Sequence, residues 1–157
     1  MKKLLSSGLA MFGAVSMPVS ISPVQAGKPP AADYRPDPRF ATLRQFFQKS
    51  GCPASEYTAV FLEVADSNAL DWRLLPSISF IETTGGKASR NNNLFGWESG
   101  RARFPSPIAG IQAVGHSLSH SDLYRGKTLD RTLALYNPDA DYARKVKSVM
   151  RRIAPVQ

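Results

Sequence analysis

The chain has 157 residues, one cysteine and a formal net charge of +8. That length gives room for one domain with a modest core. A lone thiol excludes an internal disulfide, and the positive charge favours acidic partners such as nucleic acid, anionic lipid or an anionic wall polymer.

The first element is an export signal over residues 1–26. Lys2 and Lys3 form a basic tip, residues 4–27 carry no charge, and Leu4 to Val15 is the most apolar stretch. Val24-Gln25-Ala26 places small or modest side chains before a cut at Gly27. The alternative, a retained membrane anchor, is weakened by five serines and by Pro18 and Pro23 within the run. Removing the signal takes away Lys2 and Lys3 and no acid, so the formal charge falls from +8 to +6. An exported basic protein of the periplasm or extracellular space has little access to nucleic acid, and its membrane contact is limited to an uncleaved signal.

Residues 27–37 read as a flexible lead-in broken by prolines. The folded domain is expected over 38–154. Asp37-Pro38 is a cap followed by a first-turn proline, and Phe40, Leu43 and Phe47 then recur at helical spacing up to Ser50-Gly51. A second helix starts at Pro53, with Tyr57, Val60, Phe61 and Val64 as its stripe. Between them Cys52 reads as a small buried or helix-start residue. A third helix runs from about Asp71 to Thr83 and stops at Gly85-Gly86; Pro76 inside it moves the expected start towards Leu75.

Residues 87–106 lack helical periodicity and read as a small hairpin or irregular lobe. Ser106-Pro107 opens a fourth helix with Ile108, Ile111, Gly115 and Leu118 along one side. A short helix near Leu129 to Tyr136 follows. The last helix turns Tyr142, Val146, Val149 and Ile153 inward and Arg144, Lys145, Lys147, Arg151 and Arg152 mostly outward, a solvated basic face.

Glu82 is the residue whose position asks for chemistry. It follows Leu75 and Ile78 by seven and four residues, so the helix directs a carboxylate along its own apolar side. Partial dehydration raises a carboxyl pKa, and a raised pKa suits a general acid near neutral pH. Asn91, Asn92, Asn93, Phe95, Gly96 and Trp97 follow closely. Amides bond to hydroxyl and acetamido groups, and aromatic faces cover the apolar faces of sugars. Turn and core roles explain the same residues equally well. His116 and His120 have the spacing of two ligands on one helical face, but no adjacent glutamate and no third ligand accompany them. No metal and no cofactor are expected.

The segments Ile81-Glu82-Thr83-Thr84-Gly85-Gly86 and Asn92-Asn93-Leu94-Phe95-Gly96-Trp97 resemble the bacterial endo-β-N-acetylglucosaminidases of the flagellar and autolysin type, within the lysozyme-like superfamily. Ser106 to Ile111, Tyr136-Asn137-Pro138 and Asp141 to Val146 resemble later parts of the same pattern, so the likeness spans roughly 55–153. Thr83 stands where serine is frequent, and Trp97 where an aliphatic residue is common. The resemblance implies a mainly α, lysozyme-like helical domain with a small β-hairpin or irregular lobe. It implies a peptidoglycan hydrolase that cleaves β-1,4 bonds of N-acetylhexosamine glycan as a monomer, with peptidoglycan strands as its partner. Glu82 would be the catalytic acid. Asn92, Asn93, Phe95, Gly96 and Trp97 would shape the sugar cleft, with Tyr136 close to the acid. Glu98 is the leading second carboxylate, at about 5–5.5 Å for retention or roughly 6.5–9.5 Å for inversion. A lytic transglycosylase forming 1,6-anhydro products, or a non-catalytic wall-binding module, are the alternatives.

Overall fold

The computed structural model describes residues 32–155. The export signal of residues 1–26, with residues 27–31 of the lead-in, lies outside this range. Six α-helices follow one another: α1 (Pro38–Lys49), α2 (Thr58–Ser67), α3 (Leu74–Thr83), α4 (Pro107–His120), α5 (Leu129–Tyr136) and α6 (Tyr142–Ile153). A 3₁₀ turn (Pro53–Tyr57) leads into α2, so the element expected to start at Pro53 divides in two.

The helix starts obey the capping chemistry in the sequence. Asp37 accepts the Arg39 N–H at 2.8 Å, and Ser106 accepts the Ala109 N–H at 3.1 Å, each with proline in the first turn. Pro76 causes no break because α3 begins at Leu74. The proline therefore stands in the first turn, where its missing N–H costs nothing. Asp71 instead closes the preceding turn, its carbonyl accepting the Leu74 N–H at 2.8 Å.

Buried on nearly every side, α3 is the axis of the core; Leu74, Leu75, Pro76, Ser77, Ile78 and Ser79 are all buried. It packs against α6, while α2 packs on α4 and α1 on α2 and the 3₁₀ turn. Phe47, Phe61 and Phe95 form an aromatic seam through the centre, with ring centroids 5.7 and 6.4 Å apart. The inward stripe of α6 is buried as expected. In α4, Ile111, Gly115 and Leu118 face inward, whereas Ile108, in the first turn, is 41% exposed. Cys52 is buried at the start of the 3₁₀ turn, and burial raises its thiol pKa. No helix among the described residues is long and apolar enough to cross a membrane.

The fold is all-α, and this overturns the expected lysozyme-like domain with its β-hairpin. Among the described residues there is no β-strand; residues 87–106 contribute a single isolated bridge between Arg90 and Asn93. The physical reason lies in the backbone. Asn91, Asn92, Gly96, Glu98, Ser99 and Gly100 all take left-handed φ values, between 53° and 80°. A chain that reverses its handedness so often cannot keep the extended geometry that a ladder needs. The assignment to the lysozyme-like endo-β-N-acetylglucosaminidases required that fold and falls with it.

The crossing of α2 and α4 provides a test of packing. A Cβ added at Gly115 would lie 2.2 Å from Val64 Cγ1, inside a buried contact between two helices. Gly115→Ala gains about 1 kcal/mol of helix propensity against about 1–3 kcal/mol of overpacking. Urea denaturation should show a net loss of stability; a gain would mean that the two helices separate freely.

Candidate functional site around Glu82

Glu82 occupies the last turn of α3, half-buried, with no cationic partner among the described residues. Its Oε1 accepts a 2.7 Å hydrogen bond from the hydroxyl of Tyr142, the first residue of α6. Burial raises the carboxyl pKa above its usual range, and the Tyr142 hydrogen bond offsets part of that rise. Burial and the neighbouring Glu82 carboxylate push both Tyr142 and Tyr136 upward, so each phenol keeps its proton and remains a donor.

The end of α3 is fixed by Thr83 and by a left-handed Thr84. Buried Thr83 donates its hydroxyl to the Leu94 carbonyl at 2.8 Å and accepts the Gly86 N–H at 3.0 Å. The Tyr136 hydroxyl donates to the next carbonyl, Phe95 O, at 2.6 Å. Gly96 then lies directly against the acid: a Cβ there would come within 2.7 Å of Glu82 Oε2. Its φ of +59° also favours glycine. Three consecutive residues, Leu94, Phe95 and Gly96, are thus tied to the three side chains of Thr83, Tyr136 and Glu82.

Asn93 holds the same segment from its other side. Its Oδ1 accepts the N–H groups of Phe95 and Trp97, and its Nδ2 donates to the carbonyls of Trp97 and Ala102. With 2% exposure and a committed amide, Asn93 serves the architecture of the lobe. Phe95 does likewise, being 0% exposed and packed on Phe61. Asn92 is exposed and donates to the Phe104 carbonyl at 2.9 Å. Trp97 and Tyr136 remain partly exposed and form an aromatic wall with ring centroids 5.6 Å apart. Tyr136 in turn stacks on Tyr142 at 5.8 Å and 8°, and Trp97 meets Tyr124 at 6.3 Å.

Glu98 sits in a different setting. It is exposed in a left-handed turn with φ 53°, and its carbonyl accepts from Arg101 Nε at 3.3 Å. No ion pair engages its carboxylate among the described residues. Of the residues selected from the sequence, the structure therefore gathers Glu82, Gly96, Trp97 and Tyr136 into one locus. Asn93 and Phe95 support that locus from beneath, and Glu98 is set on the exposed turn.

Tyr142 and Thr83 are the members that sequence reasoning missed. Tyr142 counts as an inward residue of α6, which is correct, but a buried phenol needs a hydrogen-bond partner. Glu82, read from the sequence as an inward carboxylate, is that partner. His116 and His120 stack ring on ring at 4.4 Å, and the described residues contain no group of three or more side chains that could hold a metal ion. No protein-family model matches the sequence, and no curated protein matches it at a significant level.

The Glu82 environment predicts a pH effect whose sign is fixed. A carboxyl pKa raised on folding stabilises the fold below the unfolded pKa, near 4.5, and that contribution is lost as pH rises through the folded value. Glu82→Gln keeps an acceptor for Tyr142 and removes the ionised form. Its melting temperature relative to the parent should therefore increase between pH 4 and pH 8; an unchanged difference would mean that the carboxyl is not dehydrated. Tyr142→Phe keeps the stacked ring but deletes the hydroxyl. It should move the Glu82 titration midpoint further up by carboxyl NMR and cost about 1.5–3 kcal/mol, as for hydrogen bonds to charged groups.

Proposed function

We propose that the chain cleaves β-1,4-linked N-acetylhexosamine glycan, the strand polymer of the bacterial wall, with Glu82 as general acid. The observation that carries this is a half-buried carboxyl with no counterion among the described residues, held by a neutral phenol beside an aromatic wall. A glutamate kept for structure alone is ordinarily solvated or paired with a cation. Here burial favours the protonated form, which is the form that can give up a proton. Trp97 and Tyr136 supply partly exposed aromatic surface next to it, suited to the apolar faces of pyranose rings.

In this scheme the proton on Glu82 passes to the glycosidic oxygen as the C1–O bond breaks, and the leaving sugar departs as an alcohol. Positive charge develops at the anomeric carbon. Glu98, exposed on its turn, is not required; a group of the substrate itself closes on C1. If that group is the 6-hydroxyl, its proton returns to Glu82 and the product is a 1,6-anhydro sugar. If water attacks instead, its proton returns to the ionised Glu82 and the product is heavier by one water.

The test is digestion of purified peptidoglycan with mass analysis of the fragments. Glu82→Gln should lower turnover by at least 100-fold, in line with loss of general acid catalysis, with the melting transition retained. Full turnover by that variant would remove Glu82 from the chemistry. Glu98→Gln should cost less than tenfold; a larger loss would make it the partner carboxylate. Tight binding of wall glycan without any cleavage by the parent protein would leave a binding module only.

A further inference from the structure

Beyond Trp97 lies a surface cavity of about 400 Å³ formed by the α2–α3 link, the end of α4 and the approach to α5. Its walls are preformed. Ser119 on α4 donates its hydroxyl to the Asn68 carbonyl at 2.7 Å, and Thr128 caps α5 through the Arg131 N–H at 3.3 Å. The apolar lining comes from Leu70, Leu74, Leu118 and Leu129. Tyr124, which packs on Trp97, belongs to this lining as well, so the cavity shares a wall with the Glu82 locus.

Three polar groups of the lining are uncommitted among the described residues. Asn68 uses its Nδ2 on the Val64 carbonyl at 2.7 Å and leaves Oδ1 free. The Tyr124 hydroxyl and the Lys127 ammonium make no side-chain hydrogen bond or ion pair. Asp71, the acid of the lining, is paired with Arg73 at 2.6 Å. The volume falls at the lower end of ligand clefts, about 300–1,000 Å³, which combine apolar walls with a few convergent polar groups. Tyr124 is only 7% exposed and offers no flat face to a sugar ring.

We propose that this cavity binds a short peptide bearing a free carboxylate and a small aliphatic side chain. The carboxylate pairs with Lys127, the aliphatic group lies on the leucines, and backbone N–H groups donate to Asn68 Oδ1. Wall glycan carries carboxylate-bearing peptides along its strands, and in the context of the proposed Glu82 chemistry the cavity is the site for such a branch. The peptide site would then select strands that still carry their peptides.

The full chain can be titrated with the N-acetylated dipeptide Ala-Ala, whose one carboxylate is present in the free acid and absent in the C-terminal amide, following the leucine methyl and Lys127 signals by NMR. Saturable shifts of the Leu118 and Leu129 methyls are expected with the free acid. Binding should weaken at least tenfold with the amide and in Lys127→Glu. Equal affinity for acid and amide, equal affinity in Lys127→Glu, or shifts confined to other regions would overturn the assignment. Glu82→Gln should bind the peptide like the parent, which separates the two ideas. Peptide binding without glycan cleavage sinks only the catalytic proposal, and cleavage without peptide binding sinks only this one.

Discussion

The local structure depends on one constraint, the fastening of residues 93–97 across the end of α3. This segment has no ladder to join, yet its backbone is largely buried. Thr83 takes the Leu94 carbonyl, Tyr136 the Phe95 carbonyl, and Asn93 the N–H groups of Phe95 and Trp97. Side chains replace strand partners, so the segment can follow a path that no strand could. Leaving a buried carbonyl or amide unpaired costs about 1–3 kcal/mol, so each of these side chains helps to hold the segment beside Glu82. Gly96 completes the arrangement: its φ of +59° favours glycine, and a Cβ there would push the Glu82 carboxylate aside. Fold and site are therefore set by the same bonds.

Electrostatics distinguish Glu82 from the aspartates. Every aspartate of the described residues is engaged by an arginine or lysine, from Asp33 with Arg35 to Asp130 with Lys147. The most exposed of these pairs, such as Asp122 with Arg125 and Asp141 with Arg144, contribute about 0–1 kcal/mol each. Glu82, more buried than most of them, is held by a phenol instead. An arginine in that place would fix the anion and depress its pKa; a tyrosine orients the carboxyl and leaves it able to hold a proton.

The helices were legible because caps, prolines and apolar periodicity agree: Asp37-Pro38, Ser106-Pro107 and the stripe of α6 all act as their sequence suggests. The lobe was not. Short apolar runs flanking a glycine-containing turn fit a hairpin equally well by composition. What decides against one is the set of left-handed residues, and asparagine, glutamate or serine in that conformation leaves no clear mark in sequence. The resemblance misled for a related reason: short motifs such as Asn93 to Gly96 encode a local fastening and not the layers around it. Of the site, Glu82, Gly96 and Tyr136 could be found from the sequence, whereas pairing Tyr142 with Glu82 requires knowing that α3 and α6 pack together.

The same packing explains why the acid lies at a helix end and not mid-helix. In the middle of α3, among Leu75, Ile78 and Ser79, an ionised carboxylate would have no donor and no route to solvent. In the last turn the backbone opens and the first residue of α6 brings its hydroxyl within reach. The residual dehydration, offset in part by the hydroxyl, raises the carboxyl pKa. The C-terminal end of a helix adds to this, because its exposed carbonyls disfavour a negative charge. Burial and the helix end act in one direction and the Tyr142 hydroxyl in the other. The carboxyl pKa is raised on balance, and the opposing hydrogen bond would be lost if α6 moved away from α3.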